Sequence, residues 1–178
     1  MLNVEDSALL VIDIQIALAR VIHDKDAVIE NTRKMILGAK VLGLPILYTE
    51  QYPQGLGRTV PQLAELLDPD PITKLTFNCC GENTFVRELK ELGREQLLVA
   101  GMETHVCVYQ TVASLLEHGY GVHVLADAVG SRTVRNRDIA LDKMRSLGAQ
   151  LTSVEIALFE LLKVAQGDAF KEILKIVK

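Results

Sequence analysis

Tryptophan is absent from the sequence, and cysteine is scarce: the three cysteines include the adjacent pair Cys79 and Cys80. An odd number of cysteines in this arrangement predicts neither a disulfide framework nor a zinc site, and it is typical of a protein from a reducing compartment. A basic excess is also missing, because 19 Lys and Arg residues are outnumbered by 23 Asp and Glu residues, which gives a net charge of −4. This balance argues against a surface for nucleic acid or for an anionic membrane.

Long apolar runs are missing as well. The first apolar segment follows an acidic N-terminus and breaks at Asp13, and no run approaches the roughly 20 residues that span a bilayer. We therefore expect a cytoplasmic protein without an export signal and without a membrane partner. The chain is nevertheless rich in apolar residues: 49% of its 178 residues are hydrophobic, which is enough for one domain over residues 1–178 with its own core.

Short apolar runs rich in β-branched residues alternate along the chain with longer segments in which apolar residues recur every three or four positions. The predicted strands are Ala8 to Ile14, Pro45 to Thr49, Gln96 to Ala100 and Gly121 to Ala126. The predicted helices are 31–42, 83–92, 107–118, 134–147, 152–163 and 168–177. This alternation predicts an α/β fold with a doubly wound, mostly parallel sheet flanked by helices, in which ligands bind at the carboxyl ends of the strands.

Helix ends and loops add local detail to this pattern. Three helices end next to a glycine, at Gly93, Gly119 and Gly148. Thr152 and Glu155 form a capping-box pattern that predicts the start of a helix. The segment from Gln51 to Asp70 is the longest irregular stretch, and we expect it to line a pocket.

The loop after the first predicted strand contains no glycine between Asp13 and Ile16. The chain therefore lacks a dinucleotide fingerprint or a phosphate-binding loop at this position, which disfavours a nucleotide cofactor. Asp13 ends the strand, where its carboxylate would stand at the mouth of the sheet. The alternative is an aspartate that only caps the next helix.

Two further residues could take part in chemistry. Cys107 begins the helix that follows the strand from Gln96, where backbone N–H groups would favour a thiolate and stabilise an oxyanion. The alternative is a small buried apolar residue. Lys74 closes a short strand-like segment and could hold a carboxylate and a thiol in place, although most lysines only solvate a surface.

Together these residues match the pattern of a known family. The chain resembles the isochorismatase-like cysteine hydrolase superfamily over nearly its whole length, which implies a Rossmann-like three-layer fold. The resemblance rests on the Asp-x-Gln of Asp13 and Gln15, on Lys74 with Phe77, and on the Gly-Met-Glu-Thr-x-x-Cys-Val block from Gly101. The segment from Thr49 to Gly57 is most similar to the isochorismatase domain-containing subgroup.

The resemblance implies a triad and a reaction. Cys107 would be the nucleophile, Asp13 would take its proton and later protonate the leaving amine, and Lys74 would support their charges. The predicted reaction is cleavage of a C–N bond in a small amide or carbamoyl substrate through a thioester. A lysine suits this role because its ammonium offsets the effect of a carboxylate on the thiol pKa.

The resemblance also implies a cis peptide bond between Met102 and Glu103. Such a bond would aim the Glu103 N–H at the oxyanion beside the Cys107 N–H. The residues predicted to line the substrate pocket are Gln15, Gln51, Tyr52, Phe77, Thr104 and Arg132.

No metal and no cofactor is expected. Metal-binding relatives place an aspartate and histidines after the second strand, whereas this chain has Glu50, Gln51 and Tyr52 there. The histidines are scattered without ligand spacing, so we expect surface or helix-face roles for them. They are His23, His105, His118 and His123, of which His105 lies two residues before Cys107.

Three alternatives to this reaction are open. A vinyl ether hydrolase of the isochorismatase type is disfavoured because the enzymes named for that reaction lack a cysteine at the position of Cys107. A second alternative is a catalytically silent binding or scaffold protein of the same fold. A third is a thiol redox protein that uses Cys79 and Cys80, although adjacent cysteines form only strained disulfides and are more simply two small residues before a helix. The superfamily implies a homodimer or a larger homo-oligomer.

Overall fold

A computed structural model describes residues 1–68 and 70–178, and the strands in these residues form one six-stranded parallel sheet. The strands are β1 (Ser7–Ile12), β2 (Ile46–Gln51), β3 (Ile72–Lys74), β4 (Gln96–Met102), β5 (Gly121–Gly130) and β6 (Gln150–Thr152). Their order across the sheet is β3-β2-β1-β4-β5-β6. From β1 to β3 the strands follow one another towards one edge of the sheet, and from β4 to β6 towards the other edge, so the order switches between β1 and β4. In doubly wound sheets the ligand crevice opens at such a switch point.

Helices cover both faces of the sheet and connect its strands. They are α1 (Ile16–Ala19), α2 (Lys25–Leu42), α3 (Pro53–Leu56), α4 (Pro61–Ala64), α5 (Asn83–Leu92), α6 (Tyr109–Glu117), α7 (Val134–Ser146), α8 (Val154–Leu162) and α9 (Gly167–Val177). The doubly wound α/β fold predicted from the sequence is confirmed, and every paired strand is parallel.

Alternation along β1 shows how the two core layers form. Leu9 and Val11 point into a cluster that also contains residues of α2, α8 and α9, whereas Leu10 and Ile12 point into a cluster with α5, α6 and α7. Every residue of β1 is buried, as expected for a strand in the middle of a sheet with helices on both faces.

Most predicted elements are present with shifted ends. The four strands are found, helix α5 has the predicted bounds, and Gly93, Gly119 and Gly148 adopt the left-handed backbone expected of residues that end helices. The prediction missed the strand β6, the short helix α1, and the short helices α3 and α4 inside the irregular segment after β2.

The cap of α8 differs from the prediction. Thr152 is the last residue of β6, so its backbone belongs to the sheet. The capping residue is Ser153, whose hydroxyl accepts a hydrogen bond from the N–H of Ile156 at 3.2 Å. The capping-box pattern therefore predicted the helix correctly and its first residue wrongly.

Within the described residues, no helix is both long enough and apolar enough to cross a membrane.

His123 lies buried on the strand β5, so the surface or helix-face role expected of it is wrong. This buried histidine makes the stability of the fold depend on pH. His123 is 4% exposed, and burial lowers its pKa, with a smaller opposing effect from Glu160. The unfolded chain therefore takes up a proton at a higher pH than the folded chain, so stability falls as the pH drops below about 6.5. We expect the free energy of unfolding, measured in urea, to decline less steeply from pH 7 to pH 5 in His123→Gln than in the wild type. Equal slopes would contradict this role.

Candidate active site

The carboxyl ends of β1, β3 and β4 bring Asp13, Lys74 and Cys107 together. Asp13 follows β1, Lys74 ends β3, and Cys107 lies in the wide turn Thr104–Val108 between β4 and α6. All three side chains are buried. The site thus forms beside the reversal of strand order between β1 and β4, although its members are far apart in the sequence.

Asp13 and Lys74 form a fully buried ion pair. Their Oδ2 and Nζ atoms are 2.6 Å apart, and neither side chain is exposed to solvent. The other carboxylate oxygen of Asp13 accepts a hydrogen bond from Thr49 Oγ1 at 2.7 Å. Asp13 also has a left-handed backbone with φ of 51°, a conformation that aspartate adopts more readily than most residues. Because its carboxylate is held by Lys74 and Thr49, the alternative of a helix-capping aspartate is wrong.

Lys74 is surrounded by oxygen atoms that satisfy its ammonium group. Besides Asp13, it donates to Gln51 Oε1 at 2.8 Å and to the carbonyl oxygens of Thr76 at 3.2 Å and Phe77 at 3.4 Å. A buried charge without such partners would carry a large desolvation cost. The alternative of a solvated surface lysine is therefore wrong.

Cys107 is held as a thiol in this arrangement. Burial raises its pKa above the ordinary value, and the charge of Asp13 raises it further, whereas Lys74 lowers it. The thiol donates a hydrogen bond to Gln51 Oε1, with 3.8 Å between the sulfur and that oxygen. The sequence predicted a stabilised thiolate at a helix terminus. In the structure, Cys107 lies in a wide turn before α6, and desolvation outweighs the favourable charge of Lys74.

The glycine before this turn has a steric reason. A Cβ atom at Gly101 would lie 2.7 Å from the carbonyl oxygen of Ile12 and 3.0 Å from the side chain of Val108. Only glycine lets β1, β4 and the turn approach this closely without displacement of the backbone. Gly101 therefore helps to bring the end of β1, with Asp13, next to the turn that contains Cys107.

The predicted cis bond between Met102 and Glu103 is wrong, because every peptide bond in the described part of the chain is trans. The chain is instead redirected by Glu103, which has a left-handed backbone with φ of 57° and ψ of 57°. The Glu103 carbonyl accepts a hydrogen bond from the N–H of Val106 at 2.8 Å, which closes the turn. The backbone N–H groups of Glu103 and Cys107 stay predicted oxyanion donors, but the cis bond that was expected to aim the Glu103 N–H is not present.

The side chain of Glu103 forms a polar cluster that sequence analysis did not predict. Its Oε1 is 3.1 Å from Arg132 Nε, and its Oε2 is 3.5 Å from His105 Nδ1. Arg132 Nη2 lies 3.2 Å from His105 Nε2, and His105 Nδ1 lies 3.0 Å from Ser131 Oγ. Arg132 thereby holds Oε1 of a carboxylate that is only 10% exposed, whereas Oε2 is buried and accepts no hydrogen bond from the described residues. In the sequence, the feature that could have indicated this cluster is the pair of short polar segments that follow β4 and β5.

Cys107 lies on the wall of a cavity of about 460 Å³. The other residues that line the cavity are Leu18, Val21, Gln51, Tyr52, Leu56, Phe77, Glu103, Val106 and Arg132. Four predicted pocket residues, Gln51, Tyr52, Phe77 and Arg132, are therefore placed on this wall. The apolar wall residues from α1, α3 and the turn were missed, because their segments are too short to show a periodic pattern.

Gln15 and Thr104, also predicted as pocket residues, are fully buried and do not line this cavity. The amide of Gln15 donates to the carbonyl oxygens of Gln51 at 2.9 Å and Gly57 at 2.6 Å, and it accepts from the N–H of Gln51 at 2.8 Å. Gln15 therefore fastens the loop after β2 to the end of β1, so that Gln51 is held beside Lys74.

Glu50 fastens the far end of the same loop. Its Oε1 accepts hydrogen bonds from the Thr59 N–H at 2.7 Å and from Thr59 Oγ1 at 2.9 Å. Glu50, which lies where metal-binding relatives carry their ligands, thus supports the loop through Thr59.

Among residues 1–68 and 70–178, no group of three or more His, Cys, Asp or Glu side chains is arranged to hold a metal ion.

Cys79 and Cys80 are free thiols with separate surroundings. Cys79 is buried behind the site: its N–H donates to Thr111 Oγ1 at 3.0 Å, and burial raises its pKa to about 12. Its sulfur is 3.9 Å from Thr49 Oγ1, the group that donates to Asp13. Burial also raises the pKa of Cys80. This arrangement fits two small residues placed before a helix.

The buried ion pair predicts strong coupling between its two members. Asp13→Asn or Lys74→Met alone leaves one uncompensated buried charge, so each should lower the free energy of unfolding by about 3 to 5 kcal/mol. The double variant leaves neither charge, and its loss should be smaller than the sum of the single losses. Urea denaturation measures all four proteins. Additive losses would show that the two charges do not depend on each other.

The charges around Cys107 predict opposite shifts of its titration. Asp13→Asn removes a carboxylate that raises the thiol pKa, so the midpoint of the pH dependence of alkylation by iodoacetamide should move to lower pH. Lys74→Met removes the ammonium that lowers the pKa, so the midpoint should move to higher pH. Peptide mass spectrometry separates Cys107 from the other two cysteines. Shifts in the same direction would contradict the assignment of these charges.

Comparison with known proteins places the chain in a family. A family model described as the isochorismatase domain matches residues 7–156. The chain is 39% identical over 178 residues to the secreted isochorismatase effector Isc1 of Phytophthora sojae, with 97% of this chain and 84% of the relative covered. It is 37% identical over 178 residues to isochorismatase domain-containing protein 2 of Danio rerio, with coverage of 99% and 89%.

Solved structures show the same fold. The MAR1 ribonuclease of Caenorhabditis elegans has a TM-score of 0.92 and 39% identity, with 99% of this chain and 91% of that chain covered. YcaC of Pseudomonas aeruginosa, with hexane-2,5-diol and covalent acrylamide, has a TM-score of 0.92, 31% identity and coverage of 98% and 90%. YcaC of Escherichia coli, described as an octameric hydrolase of unknown specificity, has a TM-score of 0.92, 30% identity and coverage of 98% and 88%. The chain therefore belongs to the isochorismatase family, within the superfamily of isochorismatase-like hydrolases, and is similar to its isochorismatase domain-containing members.

Proposed function

We propose that this protein is a cysteine hydrolase that cleaves the C–N bond of a small amide or carbamoyl substrate through a thioester on Cys107. The observation that carries the proposal is the position of this thiol. Cys107 lies on the wall of a cavity large enough for a small molecule, and the Asp13 carboxylate is near enough to raise the pKa of its thiol. A nucleophile beside a base that is itself held by a third group is the arrangement that nucleophilic catalysis requires.

The first half of the reaction forms the thioester. The Cys107 sulfur attacks the carbonyl carbon of the substrate while its proton passes to Asp13. The backbone N–H groups of Glu103 and Cys107 donate hydrogen bonds to the resulting oxyanion. The C–N bond then breaks, and Asp13 gives the proton to the leaving nitrogen. The amine departs, and the acyl group stays on the sulfur.

The second half of the reaction releases the acid. Asp13 is a carboxylate again after the amine has left, so it can take a proton from a water molecule that attacks the thioester. When the C–S bond breaks, Asp13 returns that proton to the sulfur. The products are an amine or ammonia and a carboxylic acid, or a carbamic acid from a carbamoyl substrate. The enzyme ends the cycle with the thiol with which it began.

Lys74 sets the charge balance of this cycle. In the resting state its ammonium faces the Asp13 carboxylate at 2.6 Å. When the proton moves to Asp13, negative charge moves to the sulfur and then to the substrate oxygen, close to the same ammonium. Lys74 therefore stabilises the charge of the pair before and during the attack. Its four oxygen partners hold it in position without a change of solvation.

One of the structural neighbours carries an adduct of a small electrophile. YcaC of Pseudomonas aeruginosa is described with covalent acrylamide, which bonds to nucleophiles through its alkene carbon. A protein with this fold can therefore present a reactive nucleophile, and a reactive nucleophile is what we propose for Cys107. The proposed mechanism needs a thiol, whereas hydrolysis of a vinyl ether does not. The presence of Cys107 therefore favours amide hydrolysis over vinyl ether hydrolysis.

The name of the Caenorhabditis elegans neighbour raises RNA cleavage as a second possibility. The charge distribution favours the amide substrate. The chain has a net charge of −4, Lys74 is 2% exposed, and Arg132 is paired with Glu103, so these cations are poorly placed to hold a phosphate backbone. We therefore keep small-molecule hydrolysis as the proposed activity, with no nucleic-acid partner.

Assembly and location belong to the same proposal. The Escherichia coli YcaC neighbour is described as octameric, and we propose that this chain also forms a homodimer or a larger homo-oligomer. We propose a cytoplasmic location from its free cysteines. The Phytophthora sojae relative is named as a secreted effector, so membership of the family alone does not fix the location.

The triad predicts which variants lose turnover. Cys107→Ala and Asp13→Asn should each lower amide hydrolysis by about 10⁴-fold or more, because one removes the nucleophile and the other removes the proton carrier. Release of ammonia from a panel of primary amides and carbamoyl amino acids measures the reaction, and intact-mass spectrometry detects the acyl-enzyme.

Cys80→Ala is the matched control, because it makes the same substitution outside the site and should keep wild-type rates. Hydrolysis that survives in Cys107→Ala would overturn the triad. An RNA oligonucleotide that is cleaved by the wild type and spared by Cys107→Ala, with no amide turned over, would favour the ribonuclease instead. A folded wild type with neither activity and no acyl-enzyme would favour the scaffold protein.

A further inference from the structure

The cavity beside Cys107 has mainly apolar walls. Leu18 comes from α1, Val21 follows that helix, Leu56 ends α3, Phe77 follows β3, and Val106 belongs to the turn before α6. Five apolar side chains from four separate segments thus face the same space. The volume of about 460 Å³ is within the range of small-molecule pockets.

Several of these apolar side chains stay in contact with solvent. Val21 is 53% exposed and Phe77 is 53% exposed, and the neighbouring Tyr52 is 51% exposed. A ligand that covered them would remove apolar surface from water, which is the main source of affinity in such pockets. A polar ligand would gain nothing from this wall.

The charges on the wall are already neutralised by each other. Of the described residues that line the cavity, Glu103 and Arg132 carry formal charges, and they form an ion pair at 3.1 Å. A carboxylate on the substrate that approached Arg132 would also come near the Glu103 carboxylate, where like charges repel. An ammonium group on the substrate that approached Glu103 would likewise be repelled by the Arg132 guanidinium.

The amide of Gln51 is also occupied. Its Oε1 accepts from Lys74 at 2.8 Å, and its Nε2 donates to the carbonyl oxygen of Leu75 at 2.9 Å. Gln51 is therefore held by the protein and has little capacity left to bind a polar substituent. Its role on the wall is to fix Lys74 and the thiol rather than to select a substrate.

We infer that the substrate is an uncharged amide that carries an apolar aliphatic or aromatic group, and that this group packs between Val21, Leu56 and Phe77. The inference rests on the proposed function, since it assumes that Cys107 attacks the amide carbonyl. It goes further because it names the chemical class of the substrate. Apolar packing of this kind should add about fourfold in binding for each methylene group that the walls cover.

The test compares three reagents that carry the same electrophile: iodoacetamide, N-butyl iodoacetamide and N-(2-carboxyethyl) iodoacetamide. The last two differ mainly in charge, because their substituents have similar lengths. The rate of modification of Cys107 is followed by peptide mass spectrometry and divided by the rate for glutathione, which corrects for intrinsic reactivity. We expect the butyl reagent to modify Cys107 at least about tenfold faster than the carboxyethyl reagent.

A pair of matched variants locates the preference in the cavity. Val21 on the wall and Val164 after α8 are 53% and 54% exposed, so both can accept a polar side chain without disturbance of the core. Val21→Lys should reduce the ratio of butyl to carboxyethyl labelling by about fivefold or more, because it removes apolar contact and adds a cation. Val164→Lys, outside the cavity, should leave the ratio unchanged.

The outcomes separate this inference from the proposed function. Equal labelling by the two reagents, faster labelling by the carboxyethyl reagent, or the same change in both lysine variants would overturn the apolar substrate and leave the cysteine hydrolase intact. Failure of all three reagents to modify Cys107, while unfolded protein is modified, would overturn the proposed function and the inference with it.

Discussion

The buried ion pair between Asp13 and Lys74 is the constraint on which the rest of this site depends. Two charges with no solvent exposure are stable only if every hydrogen-bonding atom is satisfied, and the surrounding residues supply those partners. Thr49 donates to Asp13, whereas Gln51 and two backbone carbonyls accept from Lys74. The pair thereby dictates the identity of its polar neighbours and the path of the chain after β2 and β3.

The loop after β2 illustrates how this constraint extends outwards. Gln51 can bind Lys74 only if its backbone is held in place, and Gln15 provides that support through hydrogen bonds to Gln51 and Gly57. Glu50 does the same for Thr59. Leu56 from this supported loop and Val106 from the turn that contains Cys107 form part of the apolar wall of the cavity, so part of the shape of the pocket follows from the requirements of the buried charges.

The fold places these groups where an ion pair and a thiol can share one space. All six strands are parallel, so their carboxyl ends lie along one edge of the sheet, and the reversal of order between β1 and β4 opens a crevice there. Asp13 and the turn with Cys107 follow those two strands. Gly101 lets these segments approach each other, so that the Asp13 carboxylate is near enough to raise the pKa of the thiol. A thiol at this position is desolvated, and that desolvation makes an adjacent proton acceptor necessary.

By itself, the sequence determined the α/β class, most of the elements, the family and the three residues that meet at the switch point, because apolar periodicity and short motifs are local properties of a chain. It did not determine the protonation of Cys107, since a helix terminus favours a thiolate whereas burial, a property of the packed molecule, raises the pKa. It also did not predict the apolar cavity wall. Both features were decided by tertiary structure, because they depend on side chains such as Lys74 and Val21 that come from distant segments and meet only when the sheet is complete.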